Sequence, residues 1–219
     1  MQILNRYEYN PQTDIAGKGE FSRVYKAVDA NSGQVIALKI YKVNDSSDHY
    51  RAIQDVQSIQ SIIHNGLCQY LNIQQIEKED SFGEKEKLQV CISSFMNAGN
   101  LVNYYSNHKD ISILKKFLQN ILEGIIYLHN NSIIHGYIKP SNILIAETNG
   151  EPVAKITDYA MGIFTEGPPS ANTTYPLLSS VSYLSPEQLN KQKYGIDGKV
   201  SFNSDLWSLG VVVYEALTG

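Results

Sequence analysis

A handful of residues carry chemistry that packing alone does not explain. Ala16-Gly17-Lys18-Gly19-Glu20-Phe21-Ser22-Arg23-Val24 sets a Gly-x-Gly turn between two apolar stretches. Without side chains, such a turn lets backbone N–H groups approach phosphate oxygens closely. Alone it is equally a structural glycine turn. Fifteen residues beyond Val24, the apolar run Val35-Ile36-Ala37-Leu38 ends in Lys39. An ammonium closing a buried strand needs a partner, because an unpaired charge is costly to bury. Together the two stretches read as a phosphate cover with a lysine aimed at the same phosphates. Further along, Asn142 and Asp158 offer hard oxygen ligands of the kind Mg²⁺ takes.

Asn142 belongs to His135-Gly136-Tyr137-Ile138-Lys139-Pro140-Ser141-Asn142, and Asp158 opens Asp158-Tyr159-Ala160. Two more stretches follow, Ser179-Ser180-Val181-Ser182-Tyr183-Leu184-Ser185-Pro186-Glu187 and Asp205-Leu206-Trp207-Ser208-Leu209-Gly210. In order and spacing these stretches resemble the eukaryotic-type protein kinase superfamily, over nearly the whole chain from about Tyr9 to Gly219. The wording Leu184-Ser185-Pro186-Glu187-Gln188 is similar to the bacterial-type Ser/Thr kinases of that superfamily.

The resemblance implies an α+β, two-lobed fold. Its N-lobe (1–96) is an antiparallel sheet with one helix, and its mostly helical C-lobe (97–219) stops after its central buried helix. It implies ATP and Mg²⁺ as cofactors and a protein substrate or regulated protein as partner. Residue by residue, Gly17, Gly19 and Ser22 match the Gly-rich loop, with Ser in place of its third glycine. Val24, Ala37 and Leu144 match the apolar residues around adenine, and Lys39 the lysine on the α- and β-phosphates. Asp55 falls where a helix glutamate pairs that lysine, one methylene or about 1.5 Å shorter. Ser93 matches the residue guarding the back pocket, and Ser94 to Met96 the hinge. Asn142 and Asp158 match the metal ligands, Lys139 a lysine near the γ-phosphate, and Asp205 the residue holding the loop backbone.

The pattern breaks at Tyr137. The family's His-Arg-Asp is here His135-Gly136-Tyr137, so a phenol replaces the carboxylate that accepts the substrate's proton. A phenol is neutral at ordinary pH and bulkier than aspartate, so the base position is predicted inactive. Gly136 removes the arginine that pairs a phosphorylated activation loop in many kinases. A phospho-switch by that route is therefore not expected, despite Thr165, Thr173 and Thr174. Asp-Tyr-Ala replaces Asp-Phe-Gly, trading glycine's backbone freedom for alanine's restriction. The partner arginine that the family gives Glu187 would lie beyond Gly219, so a piece of a longer protein is expected. Three readings stay open: a Mg-ATP-binding pseudokinase that regulates or scaffolds, a working or weakly working Ser/Thr kinase, and a decayed chain that binds nothing well.

The elements that must position these residues follow from periodicity. Residues 13–42 alternate apolar and polar with glycine breaks, predicting three short antiparallel strands with a turn at Asn31-Ser32-Gly33. Asp45-Ser46-Ser47-Asp48 offers N-cap chemistry for a helix over 49–63. Strands are predicted near 69–78 and 87–95 around a charged turn, then a linker at Asn97-Ala98-Gly99-Asn100. Asp110 or Ser112 caps a helix whose apolar stripe is Leu114, Phe117, Leu118, Ile121, Leu122, Ile125, Ile126 and Leu128. Short strands are expected at Ile143–Ile145 and Ala154–Ile156, a mobile loop over 163–182, and a buried, all-round apolar helix over 204–217 with Trp207 in the core.

Bulk composition narrows the function class. The chain has 219 residues, 42% of them apolar, enough for one large domain or two small lobes. A net charge of −4 with no Lys/Arg cluster argues against a nucleic-acid binder. Cys68 and Cys91 sit in apolar surroundings and read as reduced core cysteines. The start, MQILNRYEYN, has no apolar run of signal-peptide length, and the longest apolar run, near Leu209–Leu217, falls well short of a membrane span, so a cytoplasmic protein is expected.

Overall fold

The structure, a computed structural model, describes residues 1–19, 22–43, 56–79, 85–159, 163–164, 181–195 and 200–219. The N-cap run 45–48, Asp55, Ala160 and most of the 163–182 loop lie outside the described residues. The chain forms two compact units. One comprises Met1–Ile63 with Gln69–Phe95, the other His64–Cys68 with Met96–Gly219. A single expected boundary near 96 thus becomes three crossings, because His64–Cys68 pairs into the second unit: Cys68 N–H donates to Ile156 O at 2.8 Å.

The first unit is an antiparallel sheet. Its path runs β1 (Gln2–Ile3), β2 (Tyr7–Glu8), β4 (Ser22–Asp29), β5 (Val35–Val43), β7 (Lys85–Ser94) and β6 (Tyr70–Glu79), with β3 (Ile15–Lys18) paired to β4. The three strands predicted over 13–42 are β3, β4 and β5, and β6 and β7 match the next two within about two residues. Of the helix predicted over 49–63, residues 56–63 are described, and α1 takes Val56–Ser61, ending two residues early. Strands β1 and β2 escaped the periodicity because two residues make no alternation. They nevertheless cover the core. Ile3, Tyr7 and Tyr9 pack with Tyr25, Ala27, Ile36, Leu38, Val90 and Ile92 on one sheet face.

The second unit is built on α3 (Ile111–Asn130), capped by the Asp110 carboxylate accepting from Ser112 N–H at 2.7 Å. Its buried residues are Leu114, Phe117, Ile121, Gly124, Ile125 and Leu128. Leu122 and Ile126 of the predicted stripe face solvent instead. Around it lie α2 (Leu101–His108), β8 (Ile133–Ile134), and the hairpin β9 (Ile143–Thr148) and β10 (Glu151–Ile156). Strand β11 (Ile163–Phe164) pairs with β8, and α4 (Pro186–Leu189), α5 (Lys191–Tyr194) and α6 (Asn203–Thr218) follow. The sequence showed no pattern for α2, a polar helix capped by Asn100 accepting from Asn103 N–H.

The reading of α6 needs correction. It is not buried all round, and Trp207 is not core: its side chain is 51% exposed. Leu206, Tyr214 at 69% and Leu217 are exposed too, while Ser204, Asp205, Ser208, Leu209, Val212 and Ala216 form the buried side. The polar members of that side are buried because they hydrogen-bond, which a hydropathy pattern reports backwards. Among the described residues no helix is long and apolar enough to cross a membrane.

Candidate functional site

In the first unit, the register of the sheet gathers the predicted nucleotide residues. Val24 lies opposite Lys39, Lys39 opposite Cys91, and Ala37 opposite Ser93. Directly paired residues and residues two apart share a face, so Val24, Ala37 and Lys39 stand together, opposite the Tyr25–Leu38–Ile92 core side. Lys39 Nζ lies 5.0 Å from the centre of the Tyr41 ring, two residues along the same face. Gly17 pairs with Val24 next to an irregularity in the β3–β4 ladder, and Gly19 N–H donates to Ser22 O at 2.8 Å. A Cβ on Gly19 would stand 2.8 Å from Ser22 Oγ, a side-chain atom that can rotate away. Ser93 is buried. Ser94 ends β7 with its N–H donating to Gln69 O at 3.2 Å. Asp55 lies outside the described residues.

Met96 and Leu144 belong to the second unit. Asn97 fastens the linker to β9: its side-chain N–H₂ donates to Glu147 O at 3.0 Å, and its Oδ1 accepts Glu147 N–H at 2.8 Å. Asn100 bridges Leu144 directly. The residues after Met96 are thereby laid alongside the strand that carries Leu144.

The loop from His135 to Asn142 hangs on Asp205, which is 1% exposed. Its two oxygens accept His135 N–H at 2.9 Å and Gly136 N–H at 2.8 Å. His129 Nε2, at 2.8 Å, provides a third donor. A buried carboxylate with three donors is the arrangement that makes burial of charge tolerable. Gly136 has φ +70°, the left-handed region that costs glycine nothing. Its carbonyl accepts from Gln188 Nε2 at 2.7 Å, and Gln188 Oε1 in turn accepts Ser185 N–H at 3.0 Å. His129 and Gln188 are functional supports that the sequence reading missed. The Ser185-x-x-Gln188 spacing at the start of α4 was the available signal for the second.

His135 organises the loop as a buried side chain. Its Nδ1 accepts Tyr137 N–H at 3.2 Å, which leaves the ring proton on Nε2, donating to Thr157 O at 2.8 Å. Thr157 N–H donates to Asn142 O at 2.9 Å. Both backbone groups of Thr157 are therefore held by the loop, fixing the residue before Asp158. Asp158 has φ +67°, a conformation that costs a non-glycine residue about 1–3 kcal/mol and that aspartate tolerates better than most. After it, Tyr159 is fully buried, and its hydroxyl donates to Cys68 O at 2.8 Å. Burial pushes that phenol's pKa well up.

Asn142 is buried, with its side-chain N–H₂ donating to the Tyr137 carbonyl at 2.8 Å. Its Oδ1, predicted as a metal ligand, accepts from Ser141 Oγ at 3.5 Å. Asn142 Oδ1 with the Asp158 carboxylate makes a hard-oxygen pair that suits Mg²⁺. Among the described residues no group of three or more His, Cys, Asp or Glu is placed to hold a metal ion. Tyr137 is half-buried, and its hydroxyl accepts a hydrogen bond from Lys139 Nζ at 2.6 Å. Each unit thus collects its own share of the predicted residues, and in the second the base position holds a phenol capped by an ammonium.

Known proteins are similar to this chain over most of its length. The chain is 27% identical over 218 residues to the mitogen-activated protein kinase kinase kinase bck1 of Aspergillus fumigatus, covering 94% of this chain and 12% of that protein. It is 32% identical over 208 residues to mitogen-activated protein kinase kinase 2 of Arabidopsis thaliana, covering 94% of this chain and 52% of the other. It is 30% identical over 211 residues to the serine/threonine-protein kinase cds1 of Schizosaccharomyces pombe, covering 92% and 43%. The chain spans about half the length, or less, of the curated relatives it matches. The family described as Protein kinase domain matches residues 11–219, and the chain belongs to that family.

Proposed function

We propose that this chain binds Mg-ATP and transfers its phosphate poorly, working as a pseudokinase that regulates or scaffolds a protein partner. The observation that carries the reading is Tyr137: its hydroxyl is bonded to Lys139 where the family keeps a carboxylate. Loss of a general base typically costs about 10²–10⁴-fold in rate, while positioning and charge stabilisation supply most of phosphoryl transfer. Gly17, Gly19, Ser22, Val24, Ala37, Lys39, Ser94, Met96 and Leu144 are the residues we assign to the nucleotide. Asp55 is assigned to pairing with Lys39. Asn142 and Asp158 are assigned to Mg²⁺, which when bound would neutralise charge on the phosphates.

A second reading is an active Ser/Thr protein kinase. The metal-ligand pair Asn142 and Asp158 favours it, as do relatives whose names are those of kinases. One comparison decides between the two. Mg-ATP raises the melting temperature under both readings, and no shift sinks both. Radiolabelled ATP with a generic protein substrate should show little transfer by the unaltered chain and about 10²–10⁴-fold more by Tyr137→Asp. Clear turnover by the unaltered chain that Asp158→Asn abolishes establishes the kinase instead. The cytoplasm is the compartment we propose, since Cys68 and Cys91 are buried and unbridged, as a reducing environment leaves them. The acidic balance supports a protein partner over a nucleic acid. The likeness of Leu184–Gln188 to bacterial-type kinases rests on those five residues alone.

A further inference from the structure

Tyr137 does more to its loop than remove a carboxylate. Its hydroxyl oxygen accepts from Lys139 Nζ at 2.6 Å, and the same ammonium stands 4.0 Å from the centre of the Tyr137 ring. The two distances place the ammonium over the hydroxyl, past the ring edge, so a charge-assisted hydrogen bond is what holds it. Both residues share a turn with Asn142. The Lys139 carbonyl accepts Asn142 N–H at 2.9 Å, and the Tyr137 carbonyl accepts from the Asn142 side chain at 2.8 Å. Six consecutive residues therefore bear a phenol, an ammonium and a carboxamide oxygen suited to Mg²⁺.

By its match to the kinase loop, Lys139 is the ammonium assigned to the γ-phosphate of a bound nucleotide. Here that contact must compete with the phenol hydroxyl for the ammonium's N–H donors. We propose that Tyr137 determines nucleotide selectivity by withholding Lys139 from the terminal phosphate, so that the chain binds Mg-ADP about as tightly as Mg-ATP. The inference rests on the reading that Asn142 and Asp158 hold the magnesium of a bound nucleotide. The net worth of one hydrogen bond is the scale of the competition, about 2–12-fold in affinity when the ammonium is released.

The test is calorimetric titration of the full chain with Mg-ATP and with Mg-ADP, alongside Tyr137→Phe, Lys139→Met and the double variant. Tyr137→Phe keeps the ring and deletes the hydroxyl, and thermal unfolding without nucleotide checks that each variant folds. The unaltered chain should bind the two nucleotides within about twofold of each other, and Lys139→Met should not change that ratio. Tyr137→Phe should shift the ratio toward ATP by about three- to tenfold, and the double variant should return it to parity. A selective loss of ATP affinity in Lys139→Met alone, or an unchanged ratio in Tyr137→Phe, overturns the proposal while leaving nucleotide binding intact. Binding of neither nucleotide by any variant overturns the Mg-ATP reading and this one with it. Independently of nucleotide, the rate of Lys139 acetylation followed by mass spectrometry should rise severalfold in Tyr137→Phe. No rise shows that the phenol does not hold the ammonium.

Discussion

Charged side chains at the edge of the first unit show how single contacts set pH behaviour. Arg6 grips Asp29 with two parallel bonds, Nε to Oδ1 and Nη2 to Oδ2, each 2.7 Å. Asp29 also accepts from Ser32 Oγ at 2.8 Å and Asn31 N–H at 3.1 Å, closing the turn between β4 and β5. The Arg6 guanidinium holds the Asp29 carboxyl well below the usual carboxylate range, with Ser32 and Asn31 adding to it. A depressed folded-state pKa contributes stability that is present above the ordinary value near 4 and is lost as pH falls below it. Arg6→Gln should therefore lower the melting temperature at pH 7, and the gap to the unaltered chain should shrink as the pH drops toward 2. A gap that stays constant across that range would show that the contact matters for packing and not for charge. At position 159 the same logic concerns a neutral group. An extra hydroxyl relative to the family's phenylalanine is tolerated because Cys68 O receives it.

At the scale of elements, the approach of the 64–68 segment to α3 is decided by two glycines. A Cβ on Gly66 would run into the Asn120 carbonyl oxygen and stand 3.0 Å from Gly124 N, and one on Gly124 would stand 2.8 Å from Gly66 O. The opposing atoms are backbone and cannot swing aside. Gly66→Ala should cost about 1–3 kcal/mol, the range for overpacking, and urea unfolding measures it. A cost within about 0.5 kcal/mol, as for an ordinary surface site, would mean that the segment can lift from the helix. Further along, Tyr183 is tied to α6 by its hydroxyl donating to Glu215 Oε2 at 2.7 Å. Burial and then the Glu215 carboxylate push the phenol's pKa up to about 12. The sequence showed the two halves of this pairing only as an isolated Tyr and Glu, with no periodic signal to join them.

For the molecule as a whole, α6 carries its polar residues inside and several of its large apolar residues outside. Trp207 is half exposed, whereas Leu209 is buried two residues later. Trp207→Gln should change stability by less than about 0.5 kcal/mol, while Leu209→Ala should cost about 2–5 kcal/mol. Denaturant midpoints of the two variants, measured together, check the difference. A large loss in Trp207→Gln would place its ring in a packed interior.

Much of this molecule was legible in its sequence, for definite reasons. Glycine spacing, a lysine closing an apolar strand and the order of six motifs are local signals, and they determined the kinase fold and the family. Alternation and 3.6-residue periodicity placed β3 to β7 and α3, because each buries one continuous face. Hydropathy had no means to show β1 and β2, too short to alternate, or α2, whose polar residues mask its turn. It also inverted α6, since Ser204, Asp205 and Ser208 are buried on hydrogen bonds that reach distant chain segments. Above all, the sequence determined that a tyrosine stands at position 137. That its hydroxyl captures Lys139, two residues away across an extended backbone, was decided by the folded turn, because only there does the phenol meet the ammonium at hydrogen-bond distance while Asn142 braces the Tyr137 and Lys139 carbonyls.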